Sequence, residues 1–237
     1  MSTRRPVPPV LAVLLVAVLV VLAGCGSDSG SSSSTGGGKE LVGTFRLTAG
    51  RCTGTAVTGT YFRMINPGGT IKDGKFFGNP DSRCPDKSFT VQAPGTDGGL
   101  VTGTFQPGTG KAFDATGNAR ASQIVEPGSF TAIEFGISTQ KVDPQSRKKV
   151  AAPRITVRNG RLSGQITAWS AAWNNLYFNQ GSPKPDGSRP GLTSPVSGTY
   201  DAKTGAFVLT WASQVVGGPF NGFTGYWHLA GTFTPSR

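Results

Sequence analysis

Beyond residue 38 no stretch of this chain carries a helical period, because glycine and proline interrupt it too often. There are 35 glycines and 17 prolines, and the runs between them are short and rich in Thr, Val, Phe and Ile, which suit a pleated, half-buried strand. The clearest strand signal is RITVRNGRLSGQITAW. Ile155 and Val157 alternate, Asn159-Gly160 supplies a type I′ turn, and Leu162 and Ile166 continue on the return strand. KDGK, from Lys72 to Lys75, reads as a second hairpin. FTAIEFGI, from Phe130 to Ile137, puts Ile133, Phe135 and Ile137 on one face of a strand. Regular strands separated by turn signals predict an all-β chain folded as an antiparallel sandwich or barrel.

The chain also repeats itself. VTGTFQPGTGKAF, from Val101, matches VSGTYDAKTGAFV, from Val196, and ASQIV at Ala121 matches ASQVV at Ala212. Upstream, KFFGNP and LYFNQG occupy similar places before long Pro/Asp loops. The ordered matches predict a β domain over 39–237 built from two related halves, about 40–140 and 141–237. They form either one closed structure or two adjacent modules, and a chain of this length buries a sizeable core either way.

The first residues have a different character. Arg4 and Arg5 precede an apolar run from Val7 to Leu22, and Leu22-Ala23-Gly24-Cys25 closes it. Residues 1–24 read as a secretory signal peptide. The apolar run is shorter than the roughly 20 residues a membrane span requires and carries Pro8 and Pro9. LAGC resembles the lipobox of bacterial lipoprotein precursors. That resemblance implies that Cys25 becomes a lipid-bearing N-terminus, holding the protein on the extracytoplasmic face of a bacterial cell membrane through its acyl chains. The Arg pair is similar to a twin-arginine signal, but Pro6 and Pro8 fit that pattern poorly, and the general secretory route is the expectation. Residues 25–38 then combine the lipidated Cys with a Gly/Ser tether, a flexible coil that lifts the domain off the lipid.

With Cys25 assigned to lipid, Cys52 and Cys84 remain, in a compartment where disulfides persist. Pairing them is worth about 3 to 4 kcal/mol in the chain-entropy model. A metal site lacks ligands, since neither has a second Cys or a His at ligand spacing. The formal net charge is +11, which favours anionic headgroups, wall polymers or polysaccharide as envelope partners. Nucleic acid is not expected, because the address is extracytoplasmic and Lys and Arg are dispersed. The run Arg147-Lys148-Lys149 reads as a solvated loop.

No catalytic motif is present, and no cofactor or metal is implied. His228 is the sole histidine. Alternation puts Phe223, Trp227, Leu229 and Phe233 on a core face, leaving Tyr226 and His228 toward solvent or a barrel lumen. There is no G-x-S-x-G elbow, H-E-x-x-H pair or phosphate-cradling glycine loop. Most Asp residues lie in turn contexts, as in Pro80-Asp81-Ser82 and Pro185-Asp186-Gly187. Glu126 and Glu134 lie eight positions apart, across strand and turn, with no motif to pair them as acid and base.

The candidate ligand site is the aromatic and amide-rich stretch around AWNNLYFNQGSPKPDGS, residues 172–188. Trp169, Trp173 and Tyr177 offer ring faces, and Asn174 and Asn175 offer amides, the combination that holds sugars. The competing reading is that the aromatics plug the core and the Asn residues shape turns. The four-residue spacing of Trp169 and Trp173 suggests a helix turn or bulge at Ser170-Ala171-Ala172 rather than one face of a continuous strand. VSGTYDAKTGAFVLTW and GPFNGFTGYWHLAGTF make the C-terminal half resemble β-rich modules of uncharacterised secreted actinobacterial proteins, which implies an envelope setting and no activity. The expectation is a lipid-anchored binding module for an envelope ligand or partner. The alternatives are a structural or interaction lipoprotein without a small-molecule site, and an envelope hydrolase.

Overall fold

A computed structural model describes residues 38–108, 110–120 and 124–236. The signal segment, Cys25, the tether up to residue 37 and the first residues of the ASQIV match (121–123) lie outside them. Among the described residues there are seventeen strands and no helix. The first eight are β1 (Lys39–Leu41), β2 (Gly43–Leu47), β3 (Arg51–Thr53), β4 (Ala56–Thr58), β5 (Tyr61–Thr70), β6 (Gly74–Phe76), β7 (Thr90–Val91) and β8 (Gly99–Thr102). Next come β9 (Val125–Phe130), β10 (Ile133–Thr139), β11 (Arg154–Arg158), β12 (Arg161–Gln165) and β13 (Trp169–Trp173). The last are β14 (Leu176–Asn179), β15 (Val196–Tyr200), β16 (Ala206–Gln214) and β17 (Thr224–Pro235).

Eleven strands form one antiparallel sheet whose main path runs β1-β11-β12-β15-β16-β17-β2-β8. β1 and β2 are a single chain segment interrupted at Val42, so the same segment pairs β11 with its first part and β17 with its second. This nearly closes the sheet into a barrel. The close approach depends on Gly43, at φ +154°, where a Cβ would stand 2.2 Å from the carbonyl oxygen of Thr234. β17 is long enough to serve two partners on its other edge, β5 along Thr224–His228 and β2 along Gly231–Pro235. A second sheet has the order β14-β13-β10-β9, and β3 and β4 form a small hairpin. Cys52 on β3 is disulfide-bonded to Cys84, as the sequence predicts.

Strands from the two halves interleave: β1 pairs β11, and β10 pairs β13. The described residues are therefore one compact unit, not two adjacent modules. The matched peptides differ in structure. Val196–Tyr200 and Ala206–Gln214 make a hairpin, whereas Val101 lies near the end of β8 and no further strand is found before Val125 among the described residues.

The Asn159-Gly160 hairpin forms as expected, with both residues at positive φ (50° and 71°). So does the turn at KDGK, where Thr70 faces Gly74. Two expectations are corrected. Phe130–Ile137 is not one strand but a hairpin, turning at Thr131 and Ala132 (φ 50° and 64°). A register shift between Phe135 and Ile137 follows, and Ile133 is only half-buried while the other two are buried. The second correction concerns Trp169 and Trp173, which lie on one continuous strand with no helix turn between them. Side chains alternate with period two, so residues four apart share a face of a strand.

The hydrophobic core is one continuous cluster. Phe45, Phe207 and Phe233 meet edge-on or tilted inside the large sheet, with Leu41, Leu162, Leu209 and Leu229 in the same cluster. Trp169 of the small sheet then packs against Trp211 and Trp227 of the large one, at 5.0 and 5.3 Å between ring centroids. Phe62, Phe130 and Phe135 carry the contact onward.

Candidate functional site

The five aromatic-stretch residues do not form one surface. Trp169 has 0% exposure and belongs to the core. Trp173 lies half-buried on the same face, its indole N–H donating to the carbonyl of Phe130 at 2.9 Å and its ring against Phe220. Tyr177 stands opposite Ala172, so it projects from the other face of the sheet, where it packs on Phe113. Asn174 and Asn175 are the two left-handed residues of the β13–β14 turn (φ 48° and 57°), a position that asparagine tolerates well. The adjoining Asn179 and Gln180 are buried structural amides. Gln180 offers its backbone carbonyl to the Trp211 indole at 2.9 Å, and the Asn179 amide bonds Asp143 and the carbonyl of Thr167.

Instead, a polar cleft of about 200 Å³ lies where the strands around β7 meet the edge strand β9 of the small sheet. Its lining includes Asp81, Ser82, Arg83, Thr90, Gln92, Glu126, Gly128 and Glu134. The loop on one side is braced before any ligand arrives. Asn79 accepts from the backbone N–H of Asp81 and Thr131, and its amide donates to Thr90 Oγ1 and to the carbonyl of Ser129. The Ser82 hydroxyl donates to the carbonyl of Phe89, Lys87 donates to the carbonyl of Ser82, and the Cys52–Cys84 disulfide ties the loop to β3.

The opposite wall is the β9–β10 hairpin, which brings Glu126 and Glu134 into the same cleft. Asp81 holds its tip, accepting from the Ser129 hydroxyl at 2.7 Å and the Ala132 N–H at 2.6 Å. These bonds, the serine first, keep the Asp81 carboxyl below its ordinary range, so it is anionic. They also explain how Thr131 and Ala132, neither a usual left-handed residue, are held at positive φ. Fixed hydrogen bonds on both N–H groups over-determine the turn.

Gln92 is the unusual member. It is 3% exposed, and its side-chain N–H₂ donates to the carbonyls of Thr90 and Val91 at 3.1 and 3.3 Å. Its Oε1 is buried with no partner among the described residues. Leaving a buried acceptor unmade costs about 1 to 3 kcal/mol, so an orphan in a cleft points to a group that arrives from outside.

Three other places carry less. An apolar cavity of about 50 Å³ lies among Phe62, Phe130, Phe135, Trp173, Phe220 and Trp227; it is smaller than most ligands. His228 stacks on Tyr61 at 4.4 Å with its Nδ1 3.0 Å from the carbonyl of Gly59, and burial holds its pKa below the usual value. This is the face predicted for it, but no carboxylate or hydroxyl partner completes a catalytic arrangement among the described residues. Lys184, 6% exposed, donates from Nζ to the Asn179 carbonyl at 2.6 Å and to Ser213 Oγ at 2.8 Å. The Ser213 hydroxyl is fully buried and gives its own proton to the carbonyl of Gly181, so this Ser–Lys contact is structural. Among the described residues, no three acidic, His or Cys side chains are placed to hold a metal ion.

The sequence leaves Glu126 and Glu134 unjoined, because the hairpin between them turns at Thr131-Ala132, which carries neither Gly nor Asn. It gave no sign of Gln92 as a site residue. Asp81 is a turn residue, as its Pro-Asp-Ser context predicts, and it lines the cleft as well. No protein-family model matches the chain, no curated protein matches it, and no solved structure matches its fold.

Proposed function

We propose that this protein is a lipid-anchored, extracytoplasmic binding module whose ligand enters the polar cleft between the 79–92 loop and the β9–β10 hairpin. One observation carries the cleft assignment: the buried Oε1 of Gln92, without a partner among the described residues, set among polar side chains held in place by their own hydrogen bonds. The anchoring and the envelope setting rest on the LAGC motif and the Gly/Ser segment after it. The exposed Arg147-Lys148-Lys149 loop is a separate surface suited to anionic headgroups or wall polymers.

Retention of the full chain on envelope polysaccharide and peptidoglycan fragments tests the cleft. Gln92→Leu should weaken retention while Asn175→Ala on the exposed turn leaves it unchanged; the reverse pattern would return the site to the aromatic stretch. Cys25→Ser should move the protein out of the membrane fraction or leave it unprocessed. Normal maturation and membrane recovery without lipid label would refute the anchor. A second reading, an envelope hydrolase, is favoured by Glu126 and Glu134 lining one cleft. Release of soluble fragments from wall material, abolished in Glu134→Gln, would establish it.

A further inference from the structure

We infer that the cleft selects a ligand bearing an organic ammonium group, a deduction that rests on the cleft being the ligand site. Its lining sets the carboxylates of Asp81, Glu126 and Glu134 against one guanidinium, Arg83. This acidic lining stands on a chain of net charge +11, so it runs against the background charge of the molecule. Among the described residues the carboxylates of Glu126 and Glu134 have no hydrogen-bond or ion-pair partner; the ion pair found there joins Arg154 and Glu40.

The buried end of the cleft has the same polarity. The Gln92 amide cannot turn to offer its N–H₂, because both hydrogens are committed to the carbonyls of Thr90 and Val91. It presents only an acceptor. A phosphate, sulfate or uronate would set acceptor against acceptor and charge against like charge. A bare metal ion finds no convergent set of three ligands among the described residues. A neutral hydroxyl satisfies Gln92 but leaves the carboxylate field unused. An ammonium brings both donors and charge, and charge-assisted hydrogen bonds are about twice as strong as neutral ones. Two sources offer this chemistry in an envelope: an amino sugar with a free amine, and a lysine-type side chain of a peptide.

Gly128 supplies a gauge for occupancy. A Cβ there would lie 3.8 Å from both polar atoms of the Gln92 amide and 3.5 Å from the Phe135 ring, all ordinary contacts. Gly128→Ala therefore narrows the approach to Gln92 without displacing the core.

The test is calorimetric titration of the full chain with four probes: a glucosamine trimer, its fully N-acetylated form, Nα-acetyl-lysine amide and its Nε-acetylated form. At least one free amine should bind, with acetylation weakening it on the order of tenfold, as loss of one charge-assisted contact implies. Gly128→Ala and Glu134→Gln, checked for unchanged melting temperature, should each weaken binding, and which amine binds names the source. If acetylated and free forms bind equally and Gly128→Ala weakens both, the cleft is the site and the ammonium inference is overturned. If no probe binds up to about 10 mM, or amine binding is untouched by both Gly128→Ala and Gln92→Leu, the cleft assignment falls with it.

Discussion

Lys184 should make this protein more stable as the solution becomes more alkaline, the opposite of the usual decline. Burial pushes its pKa down from 10.5 to about 8, against the pull of Asp143 and then Asp186. Below pH 8 the amine is charged in both states, and the folded protein bears the cost of a buried charge. Between pH 8 and 10.5 the unfolded chain keeps a proton that the folded one has released, so the folded state gains as pH rises. At about 1.4 kcal/mol per pH unit the full gain is about 3.4 kcal/mol, and roughly 1.5 to 2 kcal/mol of it falls between pH 8 and 9.5. The measurement stops there because burial raises the pKa values of Tyr61 and Tyr226 above 10, and their ionisation works the other way. Urea unfolding followed by tryptophan fluorescence, at fixed ionic strength, gives the wild-type curve. Lys184→Met gives the control. Ser213 still donates to Gly181, and Asp143 still accepts from Asn179 and from the Ser146 N–H, so the variant strands few groups. Wild-type stability should climb by roughly 1.5 to 2 kcal/mol relative to the variant over that interval. Parallel curves would show that Lys184 is not buried as described.

Trp169→Ala should cost about 3 to 5 kcal/mol, as emptying a buried aromatic site does, and lower the melting temperature by very roughly 6 to 20 °C; a calorimetric shift under 2 °C would contradict its core position. Ala132→Gly should be neutral or stabilising by up to about 1 kcal/mol, since glycine relieves the left-handed strain at φ 64°, and a marked loss in chemical denaturation would show that the turn is not strained. Removing both Cys52 and Cys84 should cost about 3 to 4 kcal/mol for a closed loop of this size, read as the difference in denaturation midpoint between the Ser double variant and the oxidised wild type.

Much of the fold was legible because its turns use the residues that turns favour. Asn159-Gly160 and Asp73-Gly74 announce hairpins, and the alternation of Trp227, Leu229 and Phe233 marks a strand with one buried face. Thr131-Ala132 announces nothing. Its backbone is fixed by Asn79 and Asp81 from some fifty positions earlier, and local sequence carries no record of such a bond. The cleft inherits that difficulty, since Gln92, Glu126 and Glu134 meet only after the loop and the hairpin are in place. Trp169 and Trp173 are ambiguous in sequence for a different reason. Their spacing fits both periodicities, and the strand was decided by pairing with β10 and β14.

β17 is a partner held in common. β16 takes one edge of it and β5 and β2 share the other. A chain made from its N-terminus presents β2 and β5 first, then waits for nearly all of its remaining length before Phe45 and Phe62 find Phe233 and Trp227 opposite them. Until then their strand edges are open to any other chain nearby, and pairings of such long range close slowly. Misassembly during biogenesis should thus concentrate on the earliest strands, and a nick within Thr224–Pro235 should undo three pairings in a single event rather than fray one end.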